Sequence, residues 1–318
     1  MTDTPPLEYY PIIDISDQDI DEFEQMGTKS KFWYKDSQTG IDYLFKSIHT
    51  EDGNGKPIQR KGEDWAEKIA CEIAALLGVP HAIYELATHR GERGIRSEKF
   101  TLEGENMFFG NQLIEHVVNT INATLESGQR SQTVSRVSLI MDQLVKHPPK
   151  GWVETENIKT ALDVFIGYLL LDVLISNQDR HNENWAMIVS GNTINLAPSF
   201  DHAASLGRNE SVENMQRRLT SKDSGQKIPN YVSKSKSWFY YKDKRLKTLD
   251  AFLHIGYIRK DAALEWLSKL EAITTEQLIN VVVRVPKSIM CETEKTFCAS
   301  ILVANKARIL VYKDLFKN

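Results

Sequence analysis

The chain has 318 residues, 41% hydrophobic and 26% charged, with a formal net charge of −4, the balance of a globular protein with room for one large domain or two lobes. The longest apolar run, residues 164–175, is interrupted by Asp172 and is too short to cross a bilayer, and the first residues (Asp3, Pro5, Pro6, Glu8) lack the order of a secretory leader, so no membrane partner and a cytoplasmic location are expected. Cys71, Cys291 and Cys298 form no C-x-x-C pair, which argues against a disulfide framework and against structural zinc.

Residues 1–24 carry Pro5, Pro6 and scattered acids and read as an extended entry segment. Gly27-Thr28-Lys29-Ser30-Lys31 then leads into Phe32-Trp33-Tyr34. Its backbone N–H groups and Lys charge suit a phosphate, although a plain turn is the simpler alternative. Residues 41–48 have the aromatic and aliphatic density of a buried strand that ends near Lys46. An ammonium there needs an anion such as a nucleotide phosphate, or else it snorkels to solvent. Residues 51–61 are polar and Gly-rich and read as a loop.

A helix starts near Glu63, repeats Trp65, Ile69, Ile73 and Leu76 on one face, and stops at Gly78-Val79-Pro80. Helical phase puts Glu72 close to the Trp65 face. Residues 80–86 and 95–100 read as strands. Between 112 and 144 the apolar spacing predicts two helical blocks broken at Ser127-Gly128, and residues 155–175 predict a helix apolar nearly all round, the mark of a central core helix.

The next stretch carries the chemistry. Asp179 and Asn184 are five residues apart, residues 185–189 and 193–196 read as two strands joined by Ser190-Gly191-Asn192, and the hairpin returns the chain to Asp201. One Asp to orient and deprotonate a hydroxyl, with an Asn and a second Asp to give a hard cation oxygen ligands, is a minimal set for phosphoryl transfer from ATP with Mg²⁺. Residues 205–207 open a further loop. Residues 208–247 then hold eleven Lys/Arg against four Asp/Glu, with Tyr231, Trp238, Phe239, Tyr240 and Tyr241 among them. This pattern suits an acidic partner, and also describes a solvated loop with aromatics returning to the core. Residues 249–282 and 292–317 read as amphipathic helices.

The run Asn177-Gln178-Asp179-Arg180-His181-Asn182-Glu183-Asn184, followed by Ala197-Pro198-Ser199-Phe200-Asp201, resembles the signature of the HipA-like serine/threonine kinases. Its Asp-Arg-His core is shared with phosphoinositide kinases, whereas the Pro, aromatic and Asp of the second segment are similar to the HipA pattern. The resemblance implies an α+β, two-lobed protein-kinase-like fold, with a β-rich N-lobe over 25–110 and a mostly helical C-lobe over 111–318. The catalytic loop would span 176–185 and the metal segment 197–207.

Residue by residue, the resemblance implies Asp179 as catalytic base, Asn184 and Asp201 as Mg²⁺ ligands, and Lys46 as ATP phosphate ligand with Glu67 as candidate for its helix partner, a place for which Glu72 competes. Gly27, Ser30 and Lys31 would form a phosphate loop, Glu98 and Phe100 an adenine hinge, and His181 either a contact near the phosphates or a prop for its loop. It further implies a protein substrate, of which a translation component is one kind, and an antitoxin partner. Ser30 becomes a candidate for autophosphorylation, and nucleic acid would be met only indirectly. Because the resemblance starts close to residue 25, a short form without the family's N-terminal domain is expected. The rival readings are a lipid or small-molecule kinase and a non-catalytic partner-binding pseudokinase.

Overall fold

A computed structural model describes residues 8–23, 29–51, 54–120 and 131–317. The first half is built on a seven-stranded sheet comprising β1 (Ile13–Asp14), β2 (Ile20–Phe23), β3 (Lys29–Lys35), β4 (Asp42–Glu51), β5 (Pro57–Gln59), β6 (Tyr84–His89) and β7 (Glu92–Glu98). The path runs β1-β6-β7-β4-β3-β2, with β5 added to β4, and β1 is parallel to β6 while the other pairs are antiparallel. Residues 51–61, expected as a loop, therefore contribute a strand, with His49 opposite Gln59. Lys46 accordingly sits within β4 and not at its end.

Alternation along β4 separates two environments. Tyr43 and Phe45 join Ile15, Phe32, Tyr34 and Ala87 in a small cluster on one face. Lys46, one residue on, belongs to the opposite face, where helix α1 (Glu63–Leu77) packs. That helix starts and stops where the sequence predicts. Gly62 and Gly78 bracket it in the left-handed conformation, and the Gly78 and Val79 amides close its last turn on Ala75 and Ala74.

Strand β8 (Asn106–Phe109) leaves the first sheet and pairs with β9 (Ala186–Ser190), which pairs with β10 (Thr193–Leu196). This is the hairpin expected before Asp201, now with a third strand. The remainder is mostly helical: α2 (Gly110–Thr120), α3 (Val134–Leu139) continued by a π-helical turn (Ile140–Val145), α4 (Ala161–Leu174), α5 (Val212–Thr220) and α6 (Ile228–Val232). After the hairpin β11 (Lys236–Tyr241) and β12 (Lys244–Lys247) come α7 (Thr248–Gly256), α8 (Lys260–Ala272), α9 (Thr275–Val283) and α10 (Glu292–Leu310). The helix expected over 155–175 begins later, because Thr160 and Asp163 form a reciprocal capping box. All of α4 is buried, as its apolar circumference demands, and it packs on α7, α8 and α10. Among the described residues no helix is long and apolar enough to cross a membrane.

The segment before β1 joins both halves. The Tyr10 amide donates to the Arg284 carbonyl (2.9 Å), and Arg284 Nε donates to the Glu8 carbonyl (3.0 Å). The buried Tyr10 ring lies under both the Arg284 guanidinium and Lys68 of α1. Five residues later Ile15 bonds to Thr88 at the sheet edge.

Candidate active site

The site begins where α4 ends. Asp172 is buried in its last turn, a position that only a cation can make tolerable. Arg180, 2% exposed, supplies it: Nε and Nη2 donate to the two Asp172 oxygens at 2.8 Å each. Burial opposes the guanidinium's charge, but Asp172 outweighs it and the Arg180 pKa is raised. The same side chain donates to the Asn184 carbonyl (3.0 Å) and the Ser199 hydroxyl (2.9 Å). One guanidinium thus ties the central helix, the 176–185 loop and the segment leading to Asp201.

The loop is further fixed by Asn177, whose amide nitrogen donates to Asp172 while its oxygen accepts from the Asp179 N–H. Asn184 is buried, and its Nδ2 donates to the Asp179 carbonyl (2.7 Å), so the oxygen is its remaining side-chain acceptor. The Asp179 carboxylate, in contrast, is 44% exposed. Its Oδ1 accepts from Trp238 Nε1 of β11 at 3.1 Å. His181 accepts the Glu183 N–H at Nδ1, while its Nε2 lies 3.9 Å from Asp179 Oδ1.

Asp201 adopts a left-handed backbone (φ 55°), and its N–H donates to the Tyr84 hydroxyl at 3.1 Å. Burial first, then the Glu67 and Asp201 charges, hold the Tyr84 hydroxyl well above its ordinary pKa. His202, fully buried, donates its N–H to Glu67 (2.9 Å), and its Nε2 meets the Ser199 hydroxyl at 2.7 Å.

Lys46 and Glu67 line one small cavity together with Glu63, Asp64 and Ala203. Glu63 is paired with Arg208 and Asp64 with Arg93, while Glu72 is taken by Lys68 at 2.6 Å. Of the two acids expected as partner of Lys46, Glu67 thus shares a cavity with it, whereas Glu72 pairs with Lys68. Lys31 sits opposite Lys46 on β3. Ser30 lies in the same strand, and Gly27 is outside the described residues. Glu98 ends β7 opposite Tyr43, and the Phe100 ring stacks on Phe200 (centroids 6.1 Å apart), which also meets Phe109 edge-on. The expected hinge therefore touches the residue before Asp201.

Sequence reasoning missed two contributors. Arg180 was announced by Asp172, the acid that interrupts the apolar run 164–175 and calls for a buried cation. Trp238 carried no such signal beyond membership of an aromatic cluster. Replacing it by Phe keeps the ring but removes the donor to Asp179. Trp238→Phe is expected to lower kcat for phosphoryl transfer about tenfold, the scale of one hydrogen bond to a charged group, with the KM for nucleotide unchanged. Steady-state kinetics check this, and a kcat within twofold of wild type would remove Trp238 from the site.

Oxygen donors at Asn184 and Asp201 suit Mg²⁺, which takes one or two protein ligands and completes its shell with water and phosphate. Among the described residues no group of three or more His, Cys, Asp or Glu could hold a metal without such help.

A model of the HipA-like C-terminal domain matches residues 24–277. Among solved structures, the proinflammatory kinase CtkA of Helicobacter pylori is similar over 96% of this chain and 98% of its own, with a TM-score of 0.72 at 19% identity. HipA of the Shewanella oneidensis MR-1 toxin–antitoxin system, solved with HipB and operator DNA, is similar over 97% of this chain and 70% of its own, with a TM-score of 0.55 at 12% identity. At these identities the likeness establishes the fold, an α+β protein-kinase-like architecture. No curated protein matches the chain.

Proposed function

Because the chain belongs to the family of the HipA-like C-terminal domain, we propose that it is a protein serine/threonine kinase that transfers the γ-phosphoryl group of ATP with Mg²⁺. The observation that carries this reading is the Arg180 junction, which fixes Asp179, Asn184 and the Asp201 segment to one buried anchor at Asp172. Preorganisation of that kind is what phosphoryl transfer asks of a protein.

In this reading Asp179 orients the acceptor hydroxyl and takes its proton, which its exposed carboxylate permits and the Trp238 hydrogen bond directs. Asn184 and Asp201 hold the metal, which when bound neutralises charge on the transferring group. Lys46, placed by Glu67, meets the nucleotide phosphates, and Lys31, with Gly27 and Ser30, approaches them from the neighbouring strand and its turn. Glu98 and Phe100 receive the base against Phe200. Ser30 is the proposed autophosphorylation site. The assembly of the HipA neighbour with HipB supports looking for an antitoxin partner, and a toxin or effector role acting on a protein of the cytoplasm follows from the same family.

Intact-mass spectrometry after incubation with Mg²⁺ and ATP tests the reading. Phosphate adducts are expected on the wild type and on neither Asp179→Ala nor Asp201→Ala, with peptide mapping to locate them. No adduct together with no Mg²⁺-dependent ATP binding by calorimetry would overturn it in favour of a non-catalytic binding protein.

A further inference from the structure

A depression of about 330 Å³ opens beside the catalytic loop, lined by Gln178, Glu210, Arg218, Tyr231, Lys234 and Ser235 among others. Gln178 immediately precedes Asp179, so the depression lies one residue along the loop from the carboxylate assigned as base. It is separate from the cavity of Lys46 and Glu67. Its volume is at the lower end of the range for ligand pockets.

Its chemistry is that of an anion site. Arg218 lies over the Tyr231 ring at 4.4 Å and donates from Nη2 to Glu210 at 3.1 Å. Its Nε is shielded from solvent and has no hydrogen-bond partner among the described residues, a donor whose burial is costly until an acceptor arrives. Lys234 stands exposed at the rim. Two cations against one acid leave the depression positive, inside a segment of eleven basic and four acidic residues. A polypeptide presenting a hydroxyl to Asp179 would lay a side chain within about three residues of that hydroxyl over this depression, at roughly 3.3–3.6 Å per extended residue.

We propose that the depression is a specificity subsite for the acceptor polypeptide: it takes an anionic side chain, carboxylate or phosphate, close to the phosphorylated serine or threonine, through Arg218 and Lys234. The proposal rests on the kinase reading and adds a substrate class to it.

Fluorescence anisotropy with the full chain and labelled serine peptides tests it, the peptides being identical except for Glu, phosphoserine, Gln or Lys at positions flanking the acceptor. At low salt the Glu or phosphoserine peptide is expected to bind about tenfold more tightly than the Gln peptide, and the tighter of the two tells whether the subsite reads a carboxylate or a phosphate. Lys234→Glu, at an exposed position that leaves the fold intact, should abolish that preference or turn it towards the Lys peptide. Arg218→Gln should abolish it too. Equal binding of anionic and Gln peptides, or a preference that survives both substitutions, would overturn the proposal. Failure of the kinase reading looks different: the binding preference would persist, yet no peptide would receive phosphate from ATP.

Discussion

Asp179→Asn lowers the rate of phosphoryl transfer by about 10²–10⁴-fold, the usual contribution of a positioned general base, and leaves the fold and nucleotide binding near wild type. The carboxamide has the shape of the carboxylate, and its oxygen still accepts the Trp238 hydrogen bond. The backbone bonds of the position, from the Asp179 N–H to Asn177 and from Asn184 to the Asp179 carbonyl, are untouched. What disappears is the ability to take a proton. Single-turnover transfer from labelled ATP, run beside calorimetric nucleotide binding, separates these effects. A rate within about threefold of wild type would mean that another group serves as base.

Arg180→Met is the costliest single change expected for stability. It leaves the Asp172 carboxylate buried without its cation, a loss of about 3–5 kcal/mol where one partner of a buried pair is removed. The Asn184 carbonyl and Ser199 hydroxyl also lose a donor. The double substitution Arg180→Met with Asp172→Leu removes the stranded charge and is expected to recover more than half of the lost stability. It should not recover transfer activity, because the guanidinium that joins the Asn184 carbonyl and the Ser199 hydroxyl to the helix is gone. Denaturant unfolding and kinetics on the three variants measure both quantities. Recovery of activity along with stability would show that the junction supports the fold alone.

The expected chemistry was most legible where it is local. The five-residue offset from Asp179 to Asn184, the hairpin signal at Ser190-Gly191-Asn192 and the helix stop at Gly78 depend on neighbours in sequence, and each has its counterpart in the structure. The choice between Glu67 and Glu72 as partner of Lys46 was not legible, since the resemblance favours Glu67 while helical phase puts Glu72 close to the Trp65 face. In the structure Lys68 pairs with Glu72, and Glu67 shares a cavity with Lys46. Trp238 lies 59 residues from the carboxylate it contacts, and only tertiary packing joins them. The strand at Pro57–Gln59 escaped notice because it is short, polar and stabilised by pairing with β4, not by an apolar pattern of its own.

The chain passes between the two halves twice, once through the hinge after β7 and once, in effect, through the segment that bonds Tyr10 to Arg284 before entering the sheet beside β6. These are not the only ties: the His202 N–H to Glu67, the Asp201 N–H to Tyr84, the Arg208–Glu63 pair and the Ala82 N–H to the Ser199 carbonyl also cross between the halves. A seam fastened at so many places, over a core continuous from α1 to α4, behaves as a clamp and not as a swivel. Any displacement of Lys46 relative to the Asp179 loop has to break several of these bonds together.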